Sequence, residues 1–90
     1  MNEITEKILA MRSRYGWEKS DTPRILAKSI MVEAGELLQE TINEPMNRQA
    51  VLDEIADVLM YAISMCNDLG EDYQKVIEAK IVKVHQKYGK

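Results

Sequence analysis

Two polar triplets at helical spacing, with a proline between them, constrain what this 90-residue chain can become. Glu33, Glu36 and Glu40 are separated by three and four residues. Glu54, Asp57 and Tyr61 repeat that spacing 21 residues later. At about 100° per residue, each triplet occupies a stripe about 60° wide on its helix, expected well away from that helix's apolar face. Glu44-Pro45 separates the two segments, because proline lacks a backbone donor and clashes with the preceding turn. Like charges three residues apart cost a few tenths of a kcal/mol per pair. A neighbouring Lys or Arg usually relieves them. The positions three and four away from Glu33, Glu36, Glu54 and Asp57 hold neither. Two such helices side by side would gather four carboxylates into one patch. Hard divalent cations such as Mg²⁺ favour that environment, since they take oxygen ligands.

The charge distribution fits the same picture. Residues 1–28 carry net +2, residues 29–74 net −9 and residues 75–90 net +4. Duplex nucleic acid wants a continuous basic face, so a nucleic-acid polymer is not an expected partner. A metal-bridged anion suits the pattern better: carboxylates hold the cation, and Lys or Arg hold the phosphates. The single Cys66 excludes a disulfide framework and a multi-cysteine zinc site. No apolar run approaches the ~20 residues needed to span a bilayer, and no signal peptide is visible at the start. No membrane association and a cytoplasmic location are therefore expected.

Taken in order, residues 2–14 read as a first helix, with Ile4, Ile8, Leu9, Met11 and Tyr15 in its stripe and Gly16 ending it. Residues 15–21 read as a polar link. Thr22-Pro23 is a helix start, since Thr can cap and Pro suits the first helical position. That second helix runs to about Asn43, with Leu26, Ile30, Ala34, Leu37, Leu38 and Thr41 facing the core. Asn47 can cap a third, which reaches Leu69 and turns Leu52, Ile55, Leu59, Ala62, Ile63 and Cys66 inward. Gly70 suits the position after it. Asp72 can cap a fourth, carrying Val76, Ile77, Ile81 and Val84, which ends at Tyr88-Gly89. No stretch alternates at period two. The expectation is a single all-α domain over residues 1–90: an antiparallel four-helix bundle with the second and third helices adjacent. Ile25, Val32 and Met60 lie off the main stripes, which implies a second buried face and hence an oligomer.

This constellation resembles the MazG-like all-α nucleoside triphosphate pyrophosphohydrolases. That family carries EExxE on one helix and ExxD on the next. Here the first motif reads Val32-Glu33-Ala34-Gly35-Glu36, with Val in place of the leading acid. The second is intact as Glu54-Ile55-Ala56-Asp57, and Tyr61 follows at a spacing familiar from dCTP-pyrophosphatase-like members. Trp17 followed by Thr22-Pro23-Arg24-Ile25-Leu26-Ala27 resembles the family's approach to its second helix. Lys80-x-x-Lys83 with Lys87-Tyr88 resembles its closing Lys-rich helix. The resemblance spans about residues 15–88. Val84 stands where the family often has Asn, and Thr41-Ile42-Asn43 where many members have aromatics. Both departures bear on base and sugar more than on the reaction.

The resemblance implies Mg²⁺-dependent cleavage of a nucleoside triphosphate, a deoxynucleotide by preference, between its α- and β-phosphates. The products are a nucleoside monophosphate and pyrophosphate, in house-cleaning or nucleotide-pool control. Glu33, Glu36, Glu54 and Asp57 would hold the metal. Glu33 and Glu36 are the catalytic candidates, with Glu33 orienting the attacking water. Lys80 and Lys83 are candidates for phosphate contact, and Trp17 and Tyr61 for the base or sugar. The family places its site between subunits of a homodimer or homotetramer. Plainer roles stand beside these: a solvated acidic face, Glu40 at its edge or on plain surface, Tyr61 and Trp17 covering the core, and the lysines complementing a helix end. His85 reads as surface, and no Glu-x-x-His pair supports a di-iron site. Phosphoribosyl-ATP pyrophosphatase activity and a non-enzymatic helical interaction protein are the competing functions.

Overall fold

The structure is a computed structural model that describes residues 2–89. Among these residues there are five helices and no strand: α1 (Glu3–Tyr15), α2 (Trp17–Ser20), α3 (Pro23–Ile42), α4 (Arg48–Asp68) and α5 (Tyr73–Tyr88). The all-α expectation holds. The caps are those that the sequence offers. Thr22 Oγ1 accepts from Ile25 N–H at 3.2 Å, Asn47 Oδ1 from Ala50 N–H at 3.1 Å and Asp72 Oδ1 from Gln74 N–H at 2.8 Å. Each supplies a partner for a backbone donor that the first turn leaves free. Gly70, at φ 81°, ends α4 in a paired motif. Its N–H donates to the Asn67 carbonyl, and Glu71 N–H donates to the Cys66 carbonyl, both at 2.9 Å. The expected polar link is not all loop: residues 17–20 close one helical turn between Gly16, at φ 72°, and Asp21.

The largest contact is between α3 and α4. Their short link reverses the chain. Glu33 approaches Glu54, while Ile25 and Ser29 border the same cleft as Tyr61, so rising numbers on α3 meet falling numbers on α4. Helix α1 packs against α2 and α4, and α5 against α4 alone. Every residue of α5 from Gln74 to Tyr88 is exposed.

A single chain therefore buries little. Among the described residues, Ile8, Leu26 and Ile63 are the buried apolar ones. Several side chains expected in the core are instead exposed: Ala34, Leu38, Thr41, Leu52, Ile55 and Leu59 on the hairpin, and Val76, Ile77, Ile81 and Val84 on α5. The reason is geometric: α5 leaves α4 after the turn and does not lie along the hairpin. The radius of gyration is 15.2 Å, against about 12 Å for a compact chain of this length. The accessible surface is 7001 Å², whereas a monomer of 10.3 kDa should expose about 5,350 Å². No helix among the described residues is long and apolar enough to cross a membrane.

Candidate active site

The antiparallel pairing of α3 and α4 brings Glu33, Glu36 and Glu54 together. Each offers a carboxylate oxygen, and the three oxygens lie within 4.8 Å of one another. Glu33 and Glu36 share a face of α3 one turn apart, and Glu54 comes from the second turn of α4. These acids are less solvated than their spacing suggests. Glu33, Glu54 and Asp57 are half-buried, and one oxygen each of Glu33 and Glu54 is buried with no hydrogen-bond partner. With α5 away from the hairpin, the acidic stripes border the α3–α4 contact while part of the apolar stripe faces outward.

Two buried, unpartnered carboxylate oxygens are costly unless a proton or a cation meets them. In the metal-free chain a proton does. Hydrogen bonding to Glu54, then burial, then Glu36 raise Glu33 to about 7. The same pair of oxygens with Glu36 suits a hard divalent cation, whose arrival would displace that proton.

Asp57 lies one turn beyond Glu54 and outside the close group. It borders a cleft of about 150 Å³ between α1, α2 and α4, walled also by Trp17, Tyr61, Met11 and Met60. Tyr61 also borders a shallower cleft beside Glu33, with Ile25, Lys28 and Val32. Burial first, then the charges of Glu33 and Asp57, push the Tyr61 phenol up and keep it neutral. Trp17 is 46% exposed and leans on Tyr15 with ring centroids 5.2 Å apart. The structure thus brings Glu33, Glu36 and Glu54 together, puts Asp57 with Trp17 and Tyr61 around a second cleft, and has Tyr61 border both clefts. Glu40 is half-buried at the edge of that stripe. Lys80 and Lys83 stand apart, bordering a groove with Glu71, Val76 and Ala79 at the start of α5.

Sequence reasoning assigned nothing to Arg12, which also borders the Trp17 cleft. It is 3% exposed and pairs with both oxygens of Asp68, at 3.0 and 2.9 Å. The signal was present. Thr5, Ile8 and Arg12 fall on one helical face, and all three are buried. A cation in core register needs a buried partner.

Comparison with known proteins finds the same fold and a family. The crystal structure of a pyrophosphatase from Archaeoglobus fulgidus is similar, with a TM-score of 0.84 and 29% sequence identity, covering 98% of this chain and 91% of that one. No curated protein matches the chain. The MazG-like family matches residues 25–90, a span that includes every acidic ligand candidate, Tyr61 and the α5 lysines. The chain belongs to the MazG-like family.

Proposed function

We propose that the chain is a Mg²⁺-dependent nucleoside triphosphate pyrophosphohydrolase. It takes a nucleoside triphosphate, a deoxynucleotide by preference, and releases the monophosphate and pyrophosphate. The observation that carries this reading is the meeting of Glu33, Glu36 and Glu54, with two buried oxygens awaiting a positive partner. Family membership and the similar pyrophosphatase structure support it.

Glu36, Glu54 and Asp57, with Glu33, would hold the metal. When bound, Mg²⁺ supplies charge neutralisation at the phosphates and a lowered pKa for an attached water. Glu33, one turn from Glu36 and close to Glu54, would orient the attacking water as a general base. Trp17 and Tyr61 flank the base and sugar beside Asp57. Lys80 and Lys83 would meet the phosphates from a second copy of the chain, because α5 does not pack against α3 within one chain. The enlarged radius and surface support such a homodimer or homotetramer.

Pyrophosphate release from a panel of ribo- and deoxynucleoside triphosphates, with Mg²⁺ and with EDTA, tests the proposal. Release that needs Mg²⁺ and yields the monophosphate is expected. No release from any nucleotide would end the reading and favour a non-enzymatic helical protein. Activity confined to phosphoribosyl-ATP would favour that related pyrophosphatase.

A further inference from the structure

Helix α2 packs against α1 alone, yet its Trp17 forms one wall of a cleft whose opposite wall, with Asp57 and Tyr61, belongs to α4. Something must set the width of that gap. Helix α1 packs against both α2 and α4, and the polar bridge that it carries across the gap is ionic. Arg12 donates from Nη1 and Nη2 to the two oxygens of Asp68, the last residue of α4. The same Nη2 lies 3.6 Å from Asp21 Oδ2. Asp21 ends α2: its N–H donates to the Trp17 carbonyl at 2.9 Å, and Ser20 Oγ donates to that carbonyl at 3.2 Å. Wherever Asp21 is held, Trp17 is held four residues away.

The arrangement suits this task better than plain stability. Asp68 takes one N–H from each of Nη1 and Nη2, Nε stays buried without a partner, and the second carboxylate approaches Nη2, not that orphaned donor. Here the second carboxylate belongs to the otherwise lightly held link, and both it and Arg12 border the cleft. Gly16, at φ 72°, gives the link a turn on its other side. Trp17 therefore stands between a glycine turn and an ionic clamp.

We propose that Arg12 is a positioning residue for nucleotide binding: acting through Asp21, it holds Trp17 as a wall of the cleft opposite Asp57 and Tyr61. Its part is played through Asp21 and needs no contact with the metal or the reacting phosphates. This rests on reading the cleft as the base site, but the clamp has a readout that needs no substrate. Trp17 is the chain's sole tryptophan, so its fluorescence reports that wall directly.

The selective variant is Asp21→Asn, which removes charge at the link and leaves the Arg12–Asp68 pair intact. Arg12→Lys keeps the charge but loses the planar fork. Without nucleotide, both variants should increase acrylamide quenching of Trp17, while Asp21→Asn melts close to wild type. With nucleoside triphosphates, KM should rise about tenfold, the scale of one lost ordering interaction, with kcat held. The rise should be equal across bases. The double variant should be no worse than the more affected single, because both break one clamp. If Arg12→Lys does not fold, Asp21→Asn carries the test alone. Unchanged quenching in Asp21→Asn would overturn the proposal. So would a KM rise restricted to one base, which would make Asp21 a direct base contact, or additive effects in the double variant. If wild type releases no pyrophosphate, the proposed function fails, and the quenching comparison still decides whether Arg12 positions Trp17.

Discussion

Glu33 and Glu54 face each other from adjacent antiparallel helices, and each buries one carboxylate oxygen that has no hydrogen-bond partner. Two carboxylates this close cannot both ionise cheaply. The metal-free protein resolves the conflict with a proton on Glu33, held up to about 7 instead of the usual 4.5. Ionising both carboxylates is therefore costly, and that cost gives the site measurable properties.

The first is pH dependence without metal. The folded chain holds the Glu33 proton up to about 7, and the unfolded chain loses it near 4.5. Between those values the folded state binds more protons, so stability falls as pH rises through the window. Thermal melts in EDTA should show a melting temperature that declines between pH 5 and pH 7, pulled by this group. Glu33→Gln should flatten the decline. An identical slope in wild type and Glu33→Gln would show that the two carboxylates do not share a proton.

The second property is a sign that separates a metal site from structural polar contacts. Glu36→Gln or Asp57→Asn removes repulsion at nearly constant shape. Without metal, stability should hold or rise by a few tenths of a kcal/mol per relieved pair. Mg²⁺ should stabilise wild type by mass action and the amide variants much less. Pyrophosphate release should fall by orders of magnitude in both. Melts of all three proteins with and without Mg²⁺ measure this, and three identical responses would remove the metal site.

The helices and the meeting of Glu33, Glu36 and Glu54 were legible because their signals are local. Thr22-Pro23, Asn47, Gly70 and Asp72 punctuate the chain by backbone chemistry that needs no tertiary context. The i, i+3 spacing of Glu33 with Glu36 and of Glu54 with Asp57 survives folding unchanged. What was not legible depends on how helices leave one another. The sequence marks Leu38, Leu59 and Ile81 as inward-facing, yet cannot say that α5 diverges and leaves them exposed within one chain. Nor does the spacing of Asp21 and Asp68 from Arg12 reveal that three distant segments meet there.

Trp17 offers the simplest dissection of binding from chemistry. Its ring is partly exposed and borders the cleft beside Asp57. Stacking on a base persists in ground and transition states alike. Trp17→Ala should therefore raise KM more than it lowers kcat. Steady-state kinetics with the preferred nucleotide will show the split. An unchanged KM in a folded variant would make Trp17 a cover for the core and nothing more.

The last prediction concerns assembly, where the physical demand is largest. From Gln74 onward α5 exposes Val76, Ile77, Ile81, Val84 and Tyr88, and α3 and α4 expose Leu38, Leu52, Ile55 and Leu59. The surface exceeds that of a compact monomer by roughly 1,600 Å², comparable with what one subunit buries in an obligate interface. Covering it with a second copy would bring the net positive α5 toward an acidic hairpin, so charge and apolar burial favour the same contact. Light scattering at micromolar concentration should give at least a dimer. Ile81→Asp sets a charge in the middle of the exposed stripe of α5 without touching any residue of the acidic group. It should lower the mass and, with it, pyrophosphate release, because Lys80 and Lys83 then have no neighbouring site to serve. An Ile81→Asp protein that dissociates yet keeps full activity would show that each chain holds a complete site. A wild-type mass near 10.3 kDa would mean that the exposed stripe stays open in solution.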